Sequence, residues 1–528
     1  MAGQQNDHVP PYEEDETIGD TSTSGPPAYP NEESTPLLPH DGKALSSHRK
    51  QSKPKWRLVV FTIILIVTLT DIGNLMSDAP LVRLYEEIAC AGYWGFKDPS
   101  HILPDGSIPE EDCKVNRVQE VVALVVGWSG AWDSMIGILL AVPFGMLADK
   151  WGRKPVLFLS LFGVLLSCIW KAIVCYMRWR LEAVWASSLF LLIGGGPVVA
   201  SAMLLTMMAD VMPAEKRTVI FLFVHAAVVA GEILGPTVAS LLMRSDPYLP
   251  VLIGVAIQAS AFFCAIFLSE TLQYRPTVPS MLRPEPTDEE SPCTSTAKAS
   301  SRLLMPFVHV KDSLAFVFKD KNLALALLTF LCEGLSGNAM NLLLQYFPKR
   351  YGWHIADAAL LGTLRSVVNL IVYMVLLPTL PFLLMKRFGI SSSKADLLLS
   401  QISGILLTIG MFTMGISPNV ILAIIGLVIY VFGTGYVAFI RSIATSLLGG
   451  SESHNLARLY TMMQSMQGLG AVITGPLIPM AFKWGMDLGG FWIGMPFLFT
   501  TVGYSAMVVM IFFIEVPDTG SEVAEQQA

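Results

Sequence analysis

The stretch "FGMLADKWGRKP", residues 144–155, sets an Asp, two Lys and an Arg between two long apolar runs, with glycines at 145 and 152. Charged side chains are costly in hydrocarbon, so such a cluster belongs where two spanning helices turn at the membrane edge. Arg153 and Lys154 satisfy the preference of cytosolic loops for basic residues. Gly145 and Gly152 permit close helix approach and a tight reversal. Topology does not require Asp149; it can pair with a basic residue or face the positive end of a neighbouring helix.

The rest of the chain agrees with a membrane setting. Of 528 residues, 53% are hydrophobic and only 15% are charged, against about 25% charged in soluble domains. Apolar segments of spanning length, about 20 residues, fall near 57–78, 119–147, 155–177, 184–209, 218–243 and 249–268. A second set falls near 322–346, 357–384, 395–415, 419–448, 458–482 and 490–514. Backbone groups in lipid must be satisfied internally, so these are helices. The expected organisation is an all-α multi-pass protein of twelve transmembrane helices. Residues 1–56 form a polar, disordered N-terminal tail, 57–268 and 322–514 two six-helix bundles, 269–321 a Pro-rich polar linker, and 515–528 a C-terminal tail. No signal peptide is visible, so membrane entry is expected through the first span. "FVHVKDSLAFVFKDK", ahead of the seventh span, reads as a membrane-surface helix or an extension of that span.

Lys and Arg lie preferentially on the side of the tails and of loop 144–155, which places both termini in the cytosol. Cys90 and Cys113 share the loop after the first span and can form a disulfide if it faces an oxidising compartment. Cys168, Cys175, Cys264 and Cys332 lie in apolar runs as small packing residues. The cysteines show no metal spacing, and nothing resembles a nucleic-acid patch, a phosphate loop or a nucleophile–base pair. The chain is therefore not read as an enzyme.

"GMLADKWGRKPVL" resembles the loop signature of the major facilitator superfamily, with Gly145, Leu147, Ala148, Asp149, Gly152, Arg153, Lys154 and Leu157 in place. The resemblance implies two pseudo-symmetric six-helix halves around a cavity open alternately to each side, with Asp149 and Arg153 helping to latch the halves together in the cytosol. Asp210 and Arg217 flank the next cytosolic turn and could join that latch. The equivalent loop of the second half, "FLLMKRFGISSSK", keeps Gly389 but has Lys386 in place of the aspartate, so its latch is degenerate. In the fifth span, Gly231, Gly235 and Pro236 match the G-x-x-x-G-P core of the family's proton-linked exporters. There it implies a kinked, closely packed helix. "GPLIP" in the eleventh span reads as a related break. The fourth span lacks the arginine usual in such exporters, and Gly194, Gly195, Gly196 and Pro197 suggest a flexible break instead.

Ionisable residues inside spans usually face a cavity. Glu232, Asp133, Asp71 and His225 are the candidates for proton coupling, with Glu232 favoured. Glu333, Arg365 and Asn369 are candidates for the substrate cavity, static pairing of Arg365 with Glu333 being the alternative. Arg441 reads as an anchor at the end of the tenth span, and Asp78 as a residue at the outer boundary.

In the tail, Glu33, Leu37 and Leu38 form an acidic dileucine pattern of the kind sorting adaptors read. Pro26, Pro27 and Tyr29 resemble a PPxY ligand for a WW-domain ubiquitin ligase. "DAPLVRLYEEIACAGYWG", residues 78–95, resembles fungal members of the superfamily, many of them metabolite exporters. The expected function is secondary transport of a small organic molecule through the lipid bilayer by a monomer at the plasma or vacuolar membrane. Proton-coupled efflux is the leading reading, with the proton gradient as energy source and neither cofactor nor metal. Proton-coupled uptake, vacuolar transport of a nutrient or metal chelate, and a non-transporting nutrient sensor are the alternatives.

Overall fold

The computed structural model describes residues 56–103, 108–211, 217–272, 320–448 and 456–515. The tail patterns at Pro26–Tyr29 and Glu33–Leu38, the linker beyond Leu272 and the segment Phe307–Lys319 lie outside the described residues. Every long element is a helix, and no strand occurs among the described residues.

The first half comprises α1 (Trp56–Lys97), α2 (Asn116–Trp151), α3 (Arg153–Tyr176), α4 (Gly196–Val211), α5 (Arg217–Met243) and α6 (Tyr248–Cys264). The second comprises α7 (Lys321–Asn341), α8 (Leu343–Tyr351), α9 (Ile355–Ile371), α10 (Leu377–Phe388), α11 (Ser392–Ile416), α12 (Val420–Gly433), α13 (Tyr436–Leu447), α14 (Leu456–Leu488) and α15 (Met495–Phe512). Some spans are built from two pieces: a π-helical turn, Val372–Leu376, joins α9 to α10, and α12 passes to α13 through Thr434 and Gly435. Among the described residues eleven segments are long and apolar enough to cross a bilayer, and α5 adds the shorter apolar stretch Ala227–Met243.

The first span departs most from expectation. α1 does not end at Asp78 but continues for 42 residues to Lys97, about 63 Å at 1.5 Å per residue. Pro80 removes one backbone donor, yet the helix runs through it. Asp78 followed by Pro80 imitates a helix boundary in sequence. The far end of α1 is capped by the loop to α2, where Trp94 stacks on His101 at 4.0 Å and Cys90 is joined to Cys113 by a disulfide.

Small residues set the helix spacing. A Cβ on Gly235 would lie 2.8 Å from Leu75 Cβ, and one on Gly231 would lie 3.2 Å from Asp71 Cβ, so the fifth-span glycines seat α5 against α1. Pro236 faces the other half, with a Cβ on Gly362 only 3.7 Å away. Thr237 and Thr363 hydroxyls meet there at 2.9 Å. The halves also join along α2 and α14, where a Cβ on Gly127 would strike the Gly475 carbonyl. "GPLIP" is thus a contact surface in a continuous α14 rather than a break. The glycines at 194–196 do interrupt the fourth span, with φ of +80° at Gly195 and +66° at Gly196. They are held rather than loose: Ser160 donates to the Gly194 carbonyl at 2.5 Å, and a Cβ on Gly194 would strike the α3 backbone. Gly145, in contrast, has no atom within 4 Å of an added Cβ, so it is not a close-approach residue.

Gly127→Val is expected to cost about 1–3 kcal/mol by forcing α2 from α14, whereas Gly145→Ala should leave stability unchanged or raise it slightly. Thermal unfolding of the purified protein in detergent checks both.

Candidate functional site

A cavity of about 190 Å³ lies between the halves, walled by α1, α2 and α3 on one side and by Asn341 and Leu344 on the other. Three charged side chains enter it: Asp78, Asp133 and Lys171. Lys171 Nζ lies 3.7 Å from Asp133 Oδ2, and Ser188 Oγ donates to Asp133 Oδ1 at 2.5 Å. Asp78 therefore belongs to the interior and not to an outer boundary. Two carboxylates and one ammonium leave one negative charge that a proton or a cation can neutralise. Paired buried charge is tolerated where partners are in place. Lys171 escaped the sequence reading, although a lone lysine inside "SCIWKAIVCY" meets the test that singled out the acids.

Asp71 and Glu232 occupy a different place. Both sit at the α1–α5 contact, close enough to interact electrostatically. Asp71 also lines a second cavity of about 460 Å³ among α1, α3, α4 and α5. The side chain of His225 lies outside the described residues. In the second half, Glu333 is within electrostatic reach of Arg441, which also acts on Tyr373. Arg441 therefore lies near the ionisable groups of the second half. Asn369 accepts a hydrogen bond from Thr434 Oγ1 at 3.0 Å, which fixes α9 to the α12–α13 junction.

At the end of the first half carrying residues 145–154, Arg153 is buried. Its guanidinium lies 3.0 Å from Asp210 and 3.6 Å from Asp149. Asp210 thus meets Arg153; the side chain of Arg217 lies outside the described residues. Glu270, unnoticed in the sequence, accepts from the backbone N–H groups of Arg153 and Lys154 at 3.0 and 3.1 Å, while Lys154 Nζ donates to the Ile266 carbonyl. A carboxylate at the start of α3 suits the helix dipole. Burial opposes its ionisation, but the backbone donors of Leu272, Arg153, Lys154 and Thr271 outweigh that and hold the carboxyl below its ordinary range. Gly152 must be glycine twice over, because its φ is +107° and a Cβ would lie 2.5 Å from Glu270 Oε2. The Arg153 contacts stay within the first half. They tie its own helices together. Gly389 ends α10 with φ +63° and nothing near it.

The profile described as the Major Facilitator Superfamily matches residues 61–475. The chain belongs to the major facilitator superfamily. The MFS efflux pump atnC of Emericella nidulans is 34% identical over 92% of this chain and 93% of its own length. The MFS-type transporter aprT of Aspergillus flavus is 28% identical over 92% and 94%. A crystal structure of a D-xylose–proton symporter superposes with a TM-score of 0.56 at 18% identity, covering 87% of this chain and 99% of that one. That last likeness concerns the fold.

In this superfamily member the polar contacts between the halves gather, among the described residues, at the disulfide end. Glu110, in the loop closed by Cys90–Cys113, accepts from the Ile355 backbone N–H at 2.9 Å and lies 3.2 Å from His354 Nδ1. It thereby caps α9 across the seam. Burial opposes ionisation of Glu110, but Lys114 and Arg83 outweigh it and hold the carboxyl below its usual range. Behind it Glu86, 1% exposed, accepts from Arg83 at 2.8 Å, Lys114 at 2.7 Å and Gln119 at 2.5 Å. Arg244 pairs with Asp357 at 2.8 Å and Lys483 with Glu120 at 2.6 Å. Asn116 donates to the Met486 carbonyl and Lys349 to that of Lys114. At the other end α10 buries no side chain, and Phe382, Leu383 and Phe388 are all more than half exposed.

Glu270→Ala is expected to cost about 1 kcal/mol, a value reduced for partial exposure. Because the folded carboxyl is shifted down, the difference from wild type should be full above about pH 5 and vanish as pH falls through the folded value. Thermal unfolding measured across that pH range checks it.

Proposed function

We propose that this transporter exports a small organic molecule in exchange for protons, the two halves rocking so that the cavity between them opens to each side in turn. The Asp78–Asp133–Lys171 cluster carries the reading. Its two acids share one fixed cation inside a cavity lined by both halves, so a single proton changes the net charge facing a substrate. That the relative atnC is an MFS efflux pump supports outward movement. Glu333, within electrostatic reach of Arg441 in the other half, supports an amphipathic substrate with polar groups.

The arrangement of contacts supports a conformation shut at the disulfide end and open at the end bearing Asp149. On this reading the disulfide end is extracellular or lumenal, as an oxidised cysteine pair suits, and the termini are cytosolic. The gradient is the sole energy source in the proposal. Sorting adaptors and a WW-domain ligase remain proposed partners of the tail.

The test is transport in sealed proteoliposomes with an imposed pH gradient and rhodamine 6G, an amphipathic dye, as probe. Asp133→Asn and Lys171→Ala should each lower gradient-driven dye accumulation at least tenfold while the protein still reconstitutes as a monodisperse species. Accumulation indifferent to both substitutions, or to collapse of the gradient, contradicts the proposal.

A further inference from the structure

Asp71, Asn74 and Asp78 stand three and four residues apart on α1 and so share one face of that helix. Asp71 and Asp78 are separated by seven residues, about 10 Å of rise. The two ends of this polar stripe open into different cavities. Asp71 and Asn74 line the larger one among α1, α3, α4 and α5, and Asp78 lines the cavity between the halves. Asn74 is the intermediate polar group on the stripe, and Cys168 of α3 donates to its Oδ1 at 3.6 Å. The same cysteine senses Asp78, Asp133 and Lys171 electrostatically. The Thr70 hydroxyl is buried in the larger cavity without a partner.

We propose that protons reach the Asp78–Asp133 pair through the body of the first half, along this face of α1, by a route separate from the substrate's. Glu232 and Asp71 form its entry, and Asn74, with water in the larger cavity, bridges to Asp78. The proton passes as such: it leaves the Asp71 carboxyl, crosses along water held by hydrogen bonds to Asn74 and protonates Asp78 or Asp133, while Lys171 keeps its charge throughout. The charged and titratable groups facing the path are Glu232 from α5, Asp133 from α2, Lys171 and Cys168 from α3, and Tyr85 on α1 itself. The other α3 and α4 side chains lining the larger cavity are apolar apart from Ser201. That composition leaves α1 as the polar track.

The inference rests on the proton-coupled reading, and the experiment separates the two. Proteoliposomes carrying full-length protein are assayed with rhodamine 6G in two ways: accumulation driven by a pH gradient, and dye counterflow without a gradient, which needs no net proton movement. Asn74→Leu and Asp71→Asn should each lower gradient-driven accumulation at least tenfold and leave counterflow within about twofold of wild type. Asn74→Ser, which keeps a hydrogen-bonding group, should restore most of the driven flux. Driven accumulation within twofold of wild type in both Asn74→Leu and Asp71→Asn overturns the path, as does failure of Asn74→Ser to exceed Asn74→Leu. If Asp133→Asn loses driven flux while those two keep it, only the path is wrong. If all three keep it, the coupling proposal falls first.

Discussion

Charge in hydrocarbon must be compensated locally, and the architecture of this transporter follows from how it meets that demand. Its ionic groups are gathered at three levels. Arg153, Asp210, Asp149 and Glu270 hold one end of the first half. Asp78, Asp133 and Lys171 meet in the interior, and Glu86, Lys114, Glu110 and Arg83 sit at the opposite end. The middle level lines a cavity shared by both halves, and so do Arg83 and Glu110 at the disulfide end. The outer levels stiffen what they touch. The middle one has two acids for one lysine, and that imbalance gives it a reason to change state.

The glycine contacts explain how the halves can rock without leaking. Where α2 meets α14, backbone approaches backbone at Gly127 and Gly475, and where α5 meets α9 the contact is Pro236 on Gly362 with a threonine pair beside it. Such surfaces are smooth and carry few interlocking side chains, so one half can pivot on the other. Specific bonding is concentrated away from these pivots, at the disulfide end, where Glu110 and Asp357 each hold a partner across the seam.

The fold was largely legible in the sequence because hydrophobic run length and loop charge answer directly to the bilayer. Loop 144–155 announced the family, and its Asp210 partner could be anticipated from the next turn. What sequence alone obscured were contacts between residues far apart in the chain. Glu270 lies more than a hundred positions from the amides it caps and begins a segment that reads as plain linker. Asp78 was misplaced because an aspartate and a proline together resemble a helix end. Lys171 was legible by the rule applied to the acids, since nothing in its surroundings demands a cation except the carboxylates opposite.

The unbroken length of α1 ties these levels to one another. The same rigid rod carries Asp71 and Asp78 at its middle and the disulfide-closed cap at its far end. Tilting that cap by a few degrees about the α1–α5 glycine contacts, as separation of Glu110 from α9 requires, leaves Asp71 near the fulcrum and moves Asp78, about 10 Å further along the helix, by something under about an ångström. Opening the outside of the molecule and altering the surroundings of its acids are then a single mechanical event, with no need for a messenger between them.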